Sequence, residues 1–359
     1  MSQSTPQGAS GTARWTRRPQ GSTWGDWGPD DQLGRLNLLT PEKVLQGVAE
    51  VKMGKAFCLS LPLDFPGGSV VNPRRHPPEL QPTQREGRAN MALPLRCYDP
   101  TATDIMCDDK VLLTLQYSTQ WDSLAHVGQM FDVDGDGKPE DVFYNGYRAG
   151  TDVAGPVIYA GMEGRPNPVP QGARRLGVEN MAASCLQGRG VMVDLEAHFG
   201  RSGEVVGYEA LMGVLEKDRV VVEPGDLLCL RTGFDRMLLA MDKQPDPERL
   251  RATNSALDGR DDRLLDWVTQ SGVVALISDN YAVEASPARP YTGAEECCSA
   301  LPLHAHCLFR LGVYLGEMWL LSDLADWLRA AGRNRFLLTA PPLRLPGAVG
   351  SPATPVGTV

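Results

Sequence analysis

The sequence contains no long uninterrupted hydrophobic run, although 42% of its 359 residues are hydrophobic. A membrane-spanning helix needs about 20 consecutive apolar residues, and the chain has no window of that kind. Residues 1–22 are rich in Ser, Thr, Gly, Gln and Arg and lack the apolar centre of a secretory signal. We therefore expect a cytoplasmic protein without a membrane partner, with a sizeable core and a disordered tail over residues 1–22.

The sequence has fewer basic than acidic residues: 35 Lys and Arg against 44 Asp and Glu, which gives a net charge of −9. Such a balance argues against non-specific binding to nucleic acid. The eight cysteines form no Cys-x-x-Cys pair, so reduced thiols are expected in place of a disulfide framework. A Gly-x-Ser-x-Gly nucleophile elbow and glycine-rich nucleotide loops are missing as well. Serine hydrolases and nucleotide-binding enzymes therefore have little support.

The most informative stretch runs from Gln116 to His126, with the sequence QYSTQWDSLAH. The apolar run 111–115 before it predicts a buried strand. If that strand continued, Gln120, Asp122 and His126 would share one face. A carboxylate and an imidazole are unfavourable to bury unless a metal ion or hydrogen bonds compensate them, and together they suit zinc or manganese. The alternative is a turn cap and a surface histidine.

A second stretch with chemical potential lies near the C-terminus. Its pattern predicts a helix from about residue 304 to 311, a stop at Gly312, and a strand ending at Glu317. His304 and His306 are two residues apart, so on a helix they point in different directions and only one is expected to serve a site. A glutamate after an apolar run is again unfavourable unless it is paired or bound to metal.

Several loops allow both a functional and a structural interpretation. Trp24 and Trp27 can form an aromatic wall for a ligand or simply cover the core. Tyr144 and Asn145 can supply polar groups to a site or form only a turn. The long loop 66–91 either covers a site or is mobile. The aspartate-rich segment 132–140 imitates a calcium loop but has Phe143 at the twelfth position, so a polar hairpin turn is favoured.

These stretches resemble the cyclase and kynurenine formamidase-like family of metal-dependent hydrolases, whose signature is His-x-Gly-Thr-His-x-Asp-x-Pro-x-His. Thr119, Asp122 and His126 match that signature. The departures are Gln116 and Gln120 at two metal-binding histidines, Ser118 for the glycine, and Leu124 for the proline. The family also carries a histidine at the start of a late helix and a glutamate after the following strand, as His304 and Glu317 do here.

The resemblance implies an α/β fold of the swivelling β/β/α type, with a β-barrel-like core and surrounding helices. It further implies a homo-oligomer, a dimer or tetramer, built from one domain over residues 23–345. The Gly-, Pro- and Ser-rich segment 346–359 is expected to be a flexible C-terminal tail.

The implied metal ligands are Asp122, His126, His304 and Glu317. Because glutamines replace two ligands of a second ion, one divalent ion, Zn or Mn, is expected. Catalytic roles fall to Glu317, His126 and Gln120. The predicted contacts to a small-molecule substrate are Trp24, Trp27, Gln120, Trp121, Tyr144 and Asn145.

The function implied is a metal-dependent hydrolase whose metal-activated water cleaves a C–N or C–O bond of a small cyclic amide, lactone or aryl amide. The alternative is a catalytically silent relative that binds a small molecule, since two signature histidines are missing. Metal content discriminates between the two hypotheses.

Overall fold

The structure is a computed structural model that describes residues 13–155, 171–253, 255–293 and 298–359. Its strands are, in chain order, β1 (Ala56–Cys58), β2 (Glu79–Pro82), β3 (Gln84–Arg85), β4 (Arg88–Ala89), β5 (Leu93–Pro94), β6 (Ile105–Met106), β7 (Asp109–Leu112), β8 (Gln120–Asp122), β9 (Gln129–Phe131), β10 (Glu140–Val142), β11 (Val153–Ala154), β12 (Gly172–Ala173), β13 (Gln187–Asp194), β14 (Val205–Val206), β15 (Leu227–Arg231), β16 (Ala256–Leu257), β17 (Ala275–Ser278), β18 (Tyr314–Glu317), β19 (Arg335–Thr339), β20 (Gly350–Pro352) and β21 (Val356–Thr358).

The helices surround these strands. They are α1 (Pro41–Val48), α2 (Val178–Ala183), α3 (Glu196–Phe199), α4 (Tyr208–Lys217), α5 (Phe234–Ala240), α6 (Pro247–Thr253), α7 (Asp262–Ser271), α8 (Pro302–His304) and α9 (Ser322–Ala330). A π-helical segment, Ala305–Leu311, continues α8, and short 3-10 turns cover Gly34–Leu38, Leu95–Cys97 and Tyr144–Gly146. In the described parts of the chain, no helix is long and apolar enough to cross a membrane.

A nine-stranded sheet forms the centre of the molecule, in the order β1-β21-β19-β13-β15-β17-β18-β8-β20. Its middle strands, β13, β15, β17 and β18, run parallel to one another, while the strands on either side pair antiparallel. Every residue of β15 and β17 is buried. Parallel strands with helices on both faces need such continuous apolar runs, which explains why these segments do not alternate.

The sheet is curled. An isolated bridge joins Ser60, just after edge strand β1, to Trp319, just after β18, although five strands separate β1 from β18 in the sheet order. The Leu320 amide also donates to the Leu59 carbonyl, at 2.9 Å. The mixed α/β class with a large curled half-barrel sheet and surrounding helices is therefore confirmed. The swivelling β/β/α type stays a prediction.

The expected buried strand over residues 111–115 is wrong. Residues 109–112 form β7, which pairs antiparallel with β2, a strand inside the predicted loop 66–91. Val111 and Leu112 are 50% and 69% exposed. The two strands satisfy each other's backbone hydrogen bonds outside the central sheet, so the hydrophobic residues of this segment are not buried. The strand that carries the signature is β8, Gln120–Asp122, which is fully buried.

The flexible C-terminal tail predicted over residues 346–359 is also wrong. β20 pairs with β8, so that Gly350 lies opposite Asp122, and β21 lies between β1 and β19. The small residues that suggested disorder allow these strands to fit closely against their neighbours: a Cβ atom on Gly357 would lie 2.8 Å from Leu324. The domain therefore extends to Val359, whose side chain is fully buried.

The expected N-terminal tail needs a smaller correction. Residues 1–12 lie outside the described part of the chain, but the amides of Thr16 and Arg17 both donate to the Val133 carbonyl. The hairpin expected at residues 132–140 is confirmed, since β9 and β10 flank it as an antiparallel pair. The Asp132 carboxylate accepts hydrogen bonds from three turn amides and pairs with Arg17 at 2.8 Å.

The burial of the C-terminus generates a test. Val359→Asp places a charge in a fully buried position and should lower the free energy of unfolding by about 2–4 kcal/mol. Val221→Asp makes the same change at a side chain that is 54% exposed and should alter stability by less than about 0.5 kcal/mol. Urea denaturation monitored by circular dichroism measures both. Equal stability of the two variants would mean that the C-terminal strand is not docked in solution.

Candidate metal centre

Two neighbouring strands position the acidic residues of the site. β8 and β18 pair antiparallel, with Glu317 opposite Gln120 and Leu315 opposite Asp122. Because side chains alternate along a strand, Gln120 and Asp122 share one face of β8 while Trp121 lies on the other. The three polar side chains are almost completely buried, at 0%, 0% and 2% exposure for Gln120, Asp122 and Glu317.

A histidine enters this cluster from α8. His304 Nε2 lies 3.3 Å from Glu317 Oε1 and 3.9 Å from Asp122 Oδ2. His126, which follows β8, places its Nε2 atom 3.8 Å from Asp122 Oδ2 and keeps 21% of its side chain exposed. The structure thus brings together the four predicted ligands, which lie up to 195 residues apart in the chain (122 to 317).

Gln120 connects the two carboxylates. Its Nε2 group donates to Glu317 Oε2 at 2.8 Å and to Asp122 Oδ1 at 3.3 Å. An amide that is committed to two carboxylates in this way is not directed at a substrate oxyanion, so Gln120 acts as an orienting residue in this structure. This geometry does not support the catalytic role and the substrate contact that were predicted for Gln120.

Three buried polar atoms in this cluster lack a hydrogen-bond partner: Gln120 Oε1, Asp122 Oδ2 and Glu317 Oε1. Buried polar groups are normally satisfied, and each exception needs an explanation. Asp122, His304 and Glu317 each offer a ligand atom, and these atoms all lie within 4.8 Å of one another. Carboxylate oxygens and imidazole nitrogens are ligands for divalent ions. The residues present therefore fit a bound metal ion.

The pKa values of Glu317 and His304 are both shifted upward in the site without a metal ion. Burial raises the pKa of Glu317, and the nearby Asp122 charge raises it further, to about 7. Burial disfavours a charged His304, but the hydrogen-bonded Glu284 carboxylate and the nearby Glu317 carboxylate outweigh it and raise the pKa of His304 to about 10. An imidazolium at position 304 thus balances the buried carboxylates. A metal ion would have to displace that proton.

Glu284 is a site residue that the sequence reasoning missed. His304 Nδ1 donates to Glu284 Oε1 at 2.6 Å, and the amides of Leu303 and His304 donate to the same carboxylate at 3.0 and 2.9 Å. This contact holds the ring so that Nε2 faces Asp122 and Glu317. Metal-binding histidines normally have such a partner on their other nitrogen. That rule could have prompted a search for an acidic partner of His304, but it does not indicate where in the sequence the partner lies.

The loop that carries Glu284 is held by Asn280, just beyond the end of β17. The side-chain oxygen of Asn280 accepts from the Val283 amide at 2.8 Å, and its amide group donates to the Ser255 carbonyl. Val283 has a φ angle of 57°, a conformation that is uncommon for a β-branched residue. The polar end of a buried parallel strand therefore builds this side of the site, as is usual in α/β proteins.

His306 and His198 lie outside the candidate metal centre and have other partners. His306 Nε2 lies 2.9 Å from Thr269 Oγ1, and burial and the charge of Arg310 lower the pKa of His306 to about 4. His198 pairs with Asp218 at 2.9 Å. Neither belongs to the metal cluster, which agrees with the choice of His304 over His306.

Four of the predicted substrate contacts are core residues instead. Trp24 is fully buried, donates from Nε1 to the Phe309 carbonyl at 2.7 Å, and packs edge-on against Phe131 and Phe309. Trp121 is also fully buried and donates to the Ala340 carbonyl. Buried indoles present no surface to a substrate, so the wall expected from Trp24 and the contact expected from Trp121 are wrong.

Tyr144 and Asn145 hold the N-terminal loop. Both are fully buried. The Asn145 amide donates to the carbonyls of Gly28, Pro29 and Asp31, and its oxygen accepts from the Gly25 amide. A residue with all these partners within the protein has a structural role, and its predicted substrate contact is wrong. Trp27 lies in the loop that Asn145 holds and is only half-buried, so its substrate contact stays a prediction.

Gln116, the other glutamine at a signature histidine position, stands outside the cluster. Its side chain occupies the space beside Gly350, where a Cβ atom would lie 2.3 Å from Gln116 Nε2. Its carbonyl accepts a hydrogen bond from Arg75 Nη1 at 2.7 Å.

Comparison with known proteins adds to this picture. Residues 57–285 match the family model described as "Putative cyclase". A crystal structure described as a novel cyclase is 31% identical, with 94% of this chain and 97% of that chain covered and a TM-score of 0.69. Isatin hydrolase A from Labrenzia aggregata, bound to benzyl benzoate, is 12% identical, with 88% and 97% covered and a TM-score of 0.52.

A second isatin hydrolase A, from Ralstonia solanacearum, is 14% identical, with 84% of this chain and 91% of that chain covered and a TM-score of 0.51. At these identities, the two isatin hydrolases demonstrate a shared fold only. No curated protein sequence matches the chain.

The Glu284–His304 contact generates a prediction about metal affinity. Glu284→Gln removes the charge that holds the His304 ring and should weaken zinc binding by about 10- to 100-fold. Asp218→Asn makes the same change at the partner of His198 and should leave zinc affinity unchanged. Isothermal titration of chelator-treated protein measures both. Unaltered affinity in Glu284→Gln would mean that this contact does not orient a ligand.

Proposed function

The chain belongs to the cyclase family, and from this we propose that it is a metal-dependent hydrolase. Its substrate would be a small cyclic amide, lactone or aryl amide, cleaved at a C–N or C–O bond. The fold-level likeness to isatin hydrolases supports the cyclic amide by analogy, because isatin is one. Fold alone does not determine function, so the proposal depends on the site.

The observation that carries the proposal is the group of unpartnered buried oxygens around His304. Asp122 Oδ2 and Glu317 Oε1 both lie within 4 Å of His304 Nε2, at 3.9 and 3.3 Å, and neither accepts a hydrogen bond. Desolvating two carboxylates costs several kcal/mol each unless a cation compensates them. A purely structural cluster would be expected to satisfy these atoms. A divalent ion supplies the missing partner.

The donor set supports one ion of zinc or manganese. Asp122, His126, His304 and Glu317 provide two carboxylates and two imidazoles, which suits either metal. A second ion would need ligands at positions 116 and 120. Gln116 faces Gly350, and Gln120 uses its amide nitrogen to hold the two carboxylates. A neutral amide thus takes the place of the second cation.

A divalent ion held in this centre polarises a carbonyl group and lowers the pKa of a water molecule. The protein's own residues then have separate tasks. Gln120 keeps Asp122 and Glu317 in register, and Glu284 fixes the His304 ring. Glu317, whose Oε2 atom accepts a hydrogen bond from Gln120, would relay a proton only while its Oε1 atom is not bound to the ion. His126 is the exposed member and lies where substrate and water can enter.

A second candidate function is a catalytically silent relative that binds a small molecule. The two glutamines at positions 116 and 120 favour it, because a chain that has lost ligands of one metal can lose the other as well. The two candidates differ in metal content. About one Zn or Mn per chain supports the hydrolase, and none after gentle purification supports the silent relative.

Removal of a ligand tests the hydrolase directly. Asp122→Ala should abolish metal binding and lower hydrolysis at least about 1000-fold, because a lost ligand leaves a charged, half-filled site. His306→Ala removes the neighbouring histidine, which pairs with Thr269 outside the cluster, and should retain metal and rate. Elemental analysis together with a screen of lactones, lactams and formanilides gives both readouts. Full metal content and rate in Asp122→Ala would refute the ligand set.

The replacement of a histidine by Gln120 gives a separate test. Gln120→His restores one signature histidine between Asp122 and Glu317 and should allow a second zinc ion to bind under excess metal. Gln116→His, at a side chain directed at Gly350, should not do so by itself. Metal stoichiometry after gel filtration distinguishes the two variants. One ion per chain in Gln120→His would count against the view that the amide replaces a cation.

A further inference from the structure

A cavity of about 500 Å³ opens beside the loop that carries Glu284. Its walls come from four parts of the chain: Val71 between β1 and β2, the region of β14, helices α5 and α6, and residues 281–287 after β17. The four candidate metal ligands, all in the described part of the chain, do not line it. The cavity is therefore distinct from the metal centre. Its volume lies in the range of small-molecule sites, about 300–1,000 Å³.

The floor of this cavity is apolar and deeply buried. Phe234, Leu250 and Ala256 line it and are 3%, 4% and 2% exposed. Phe234 and Leu250 belong to a second hydrophobic cluster beside the main core, and Val71 and Tyr281 pack against that cluster. An apolar molecule that enters the cavity removes its own surface and that of the floor from water, which is favourable. The floor therefore suits the apolar body of a ligand.

The rim of the cavity is exposed and carries one basic side chain. Val205 and Arg251 line the cavity, and both are exposed. Among the described residues that line it, Glu284 is the only acidic one, and its carboxylate is already bonded to three donors at the start of α8. Arg251 therefore determines the charge preference. A guanidinium group favours an anionic partner such as a carboxylate or sulfonate.

The loop over residues 281–287 connects the cavity with the metal centre. Glu284 lines the cavity and holds the His304 ring through the 2.6 Å contact at Nδ1. The hydrophobic cluster beneath the cavity also contains Met318, which directly follows Glu317. A molecule in the cavity therefore packs against segments that hold two of the candidate metal ligands.

We propose that this cavity is a second binding site, which takes a small molecule with an apolar body and one anionic group. Its occupation restrains the loop that carries Glu284, so that less conformational freedom is lost when a metal ion binds His304. Ligand binding and metal binding strengthen each other, because coupling between two sites is reciprocal. The coupling rests on the proposed function, whereas the binding site does not.

Binding of naphthalene-2-sulfonate to chelator-treated protein, measured by isothermal titration, tests the site without metal or turnover. Val205→Trp places an indole at the exposed mouth of the cavity and should weaken binding at least about 10-fold. Val221→Trp is the matched control, since Val221 is 54% exposed and lies outside the cavity, and it should bind as the unmodified protein does. Thermal unfolding verifies that both variants are intact.

The proposal is overturned if naphthalene-2-sulfonate does not bind the unmodified protein, or if it binds Val205→Trp within about twofold of the unmodified protein. If Val205→Trp does not fold, Ser286→Trp decides in its place, because Ser286 is another exposed residue of the wall. Ser286→Trp should weaken binding at least about 10-fold, and unchanged binding overturns the proposal.

The anionic group is tested with the neutral analogue 2-naphthol. Arg251→Gln should weaken binding of naphthalene-2-sulfonate about threefold or more, because a charge-assisted hydrogen bond is lost, and should change binding of 2-naphthol less than about twofold. Arg249→Gln alters an exposed arginine of the same helix outside the cavity and should leave both unchanged. Equal effects of Arg251→Gln on the two molecules would refute the anionic group.

Zinc titration tests the coupling between the two sites. Saturating naphthalene-2-sulfonate should tighten zinc binding about threefold or more in the unmodified protein and leave it unchanged in Val205→Trp, whose cavity is filled. Unchanged zinc affinity in the unmodified protein would refute the coupling through Glu284. If the unmodified protein binds no zinc at all, that result counts against the proposed function, and the titrations of chelator-treated protein still decide whether the cavity is a binding site.

Discussion

Two carboxylates buried side by side are the constraint on which the rest of this structure depends. The pairing of β8 with β18 brings Asp122 and Glu317 to one face of the curled sheet, where both side chains are almost completely buried. Like charges in such a place are unfavourable unless positive groups or donors compensate them. His304 and Gln120 provide that compensation in the protein itself. Three atoms of the cluster are left without a partner, and the proposed metal ion would supply it.

The surrounding fold can be understood as support for this arrangement. β20 covers the outer edge of β8, and Trp121 anchors the opposite face of β8 through the Ala340 carbonyl. Glu284 reaches the site from the loop after β17 and holds the first turn of α8. Segments from distant parts of the chain thus meet at one point. A site assembled in this way requires the domain to be folded as a whole, including its last ten residues.

The replacement of a signature histidine by Gln120 illustrates how a neutral group can preserve such a site. An amide nitrogen carries two hydrogens, so it can bridge two carboxylates where a second metal ion would otherwise neutralise them. Its hydrogen bonds keep Asp122 and Glu317 in position without adding charge. In the proposed hydrolase, the remaining centre would hold one cation. This explains how a divergent signature is compatible with a cluster of four potential ligands.

Features that depend on local pattern could be predicted from the sequence. The helix that begins near His304 and stops at Gly312, the strand ending at Glu317, and the hairpin at residues 132–140 follow from residue periodicity and turn residues. The four potential ligands were predicted because buried charge is rare and because they match a family signature. The roles of the aromatic residues were not predicted correctly, because residues such as Trp24 and Tyr144 bury a large area whether they line a pocket or pack in the core.

The sequence by itself identified the candidate ligands, because Asp122, His126, His304 and Glu317 are charged or polar side chains that are costly to bury without a partner. Only the tertiary structure decided what completes the centre. Glu284 follows no local pattern in the sequence. The C-terminal strands contain residues that equally suit a loose tail. Their roles arise from contacts between distant parts of the chain, and such contacts leave no periodic signal in the sequence.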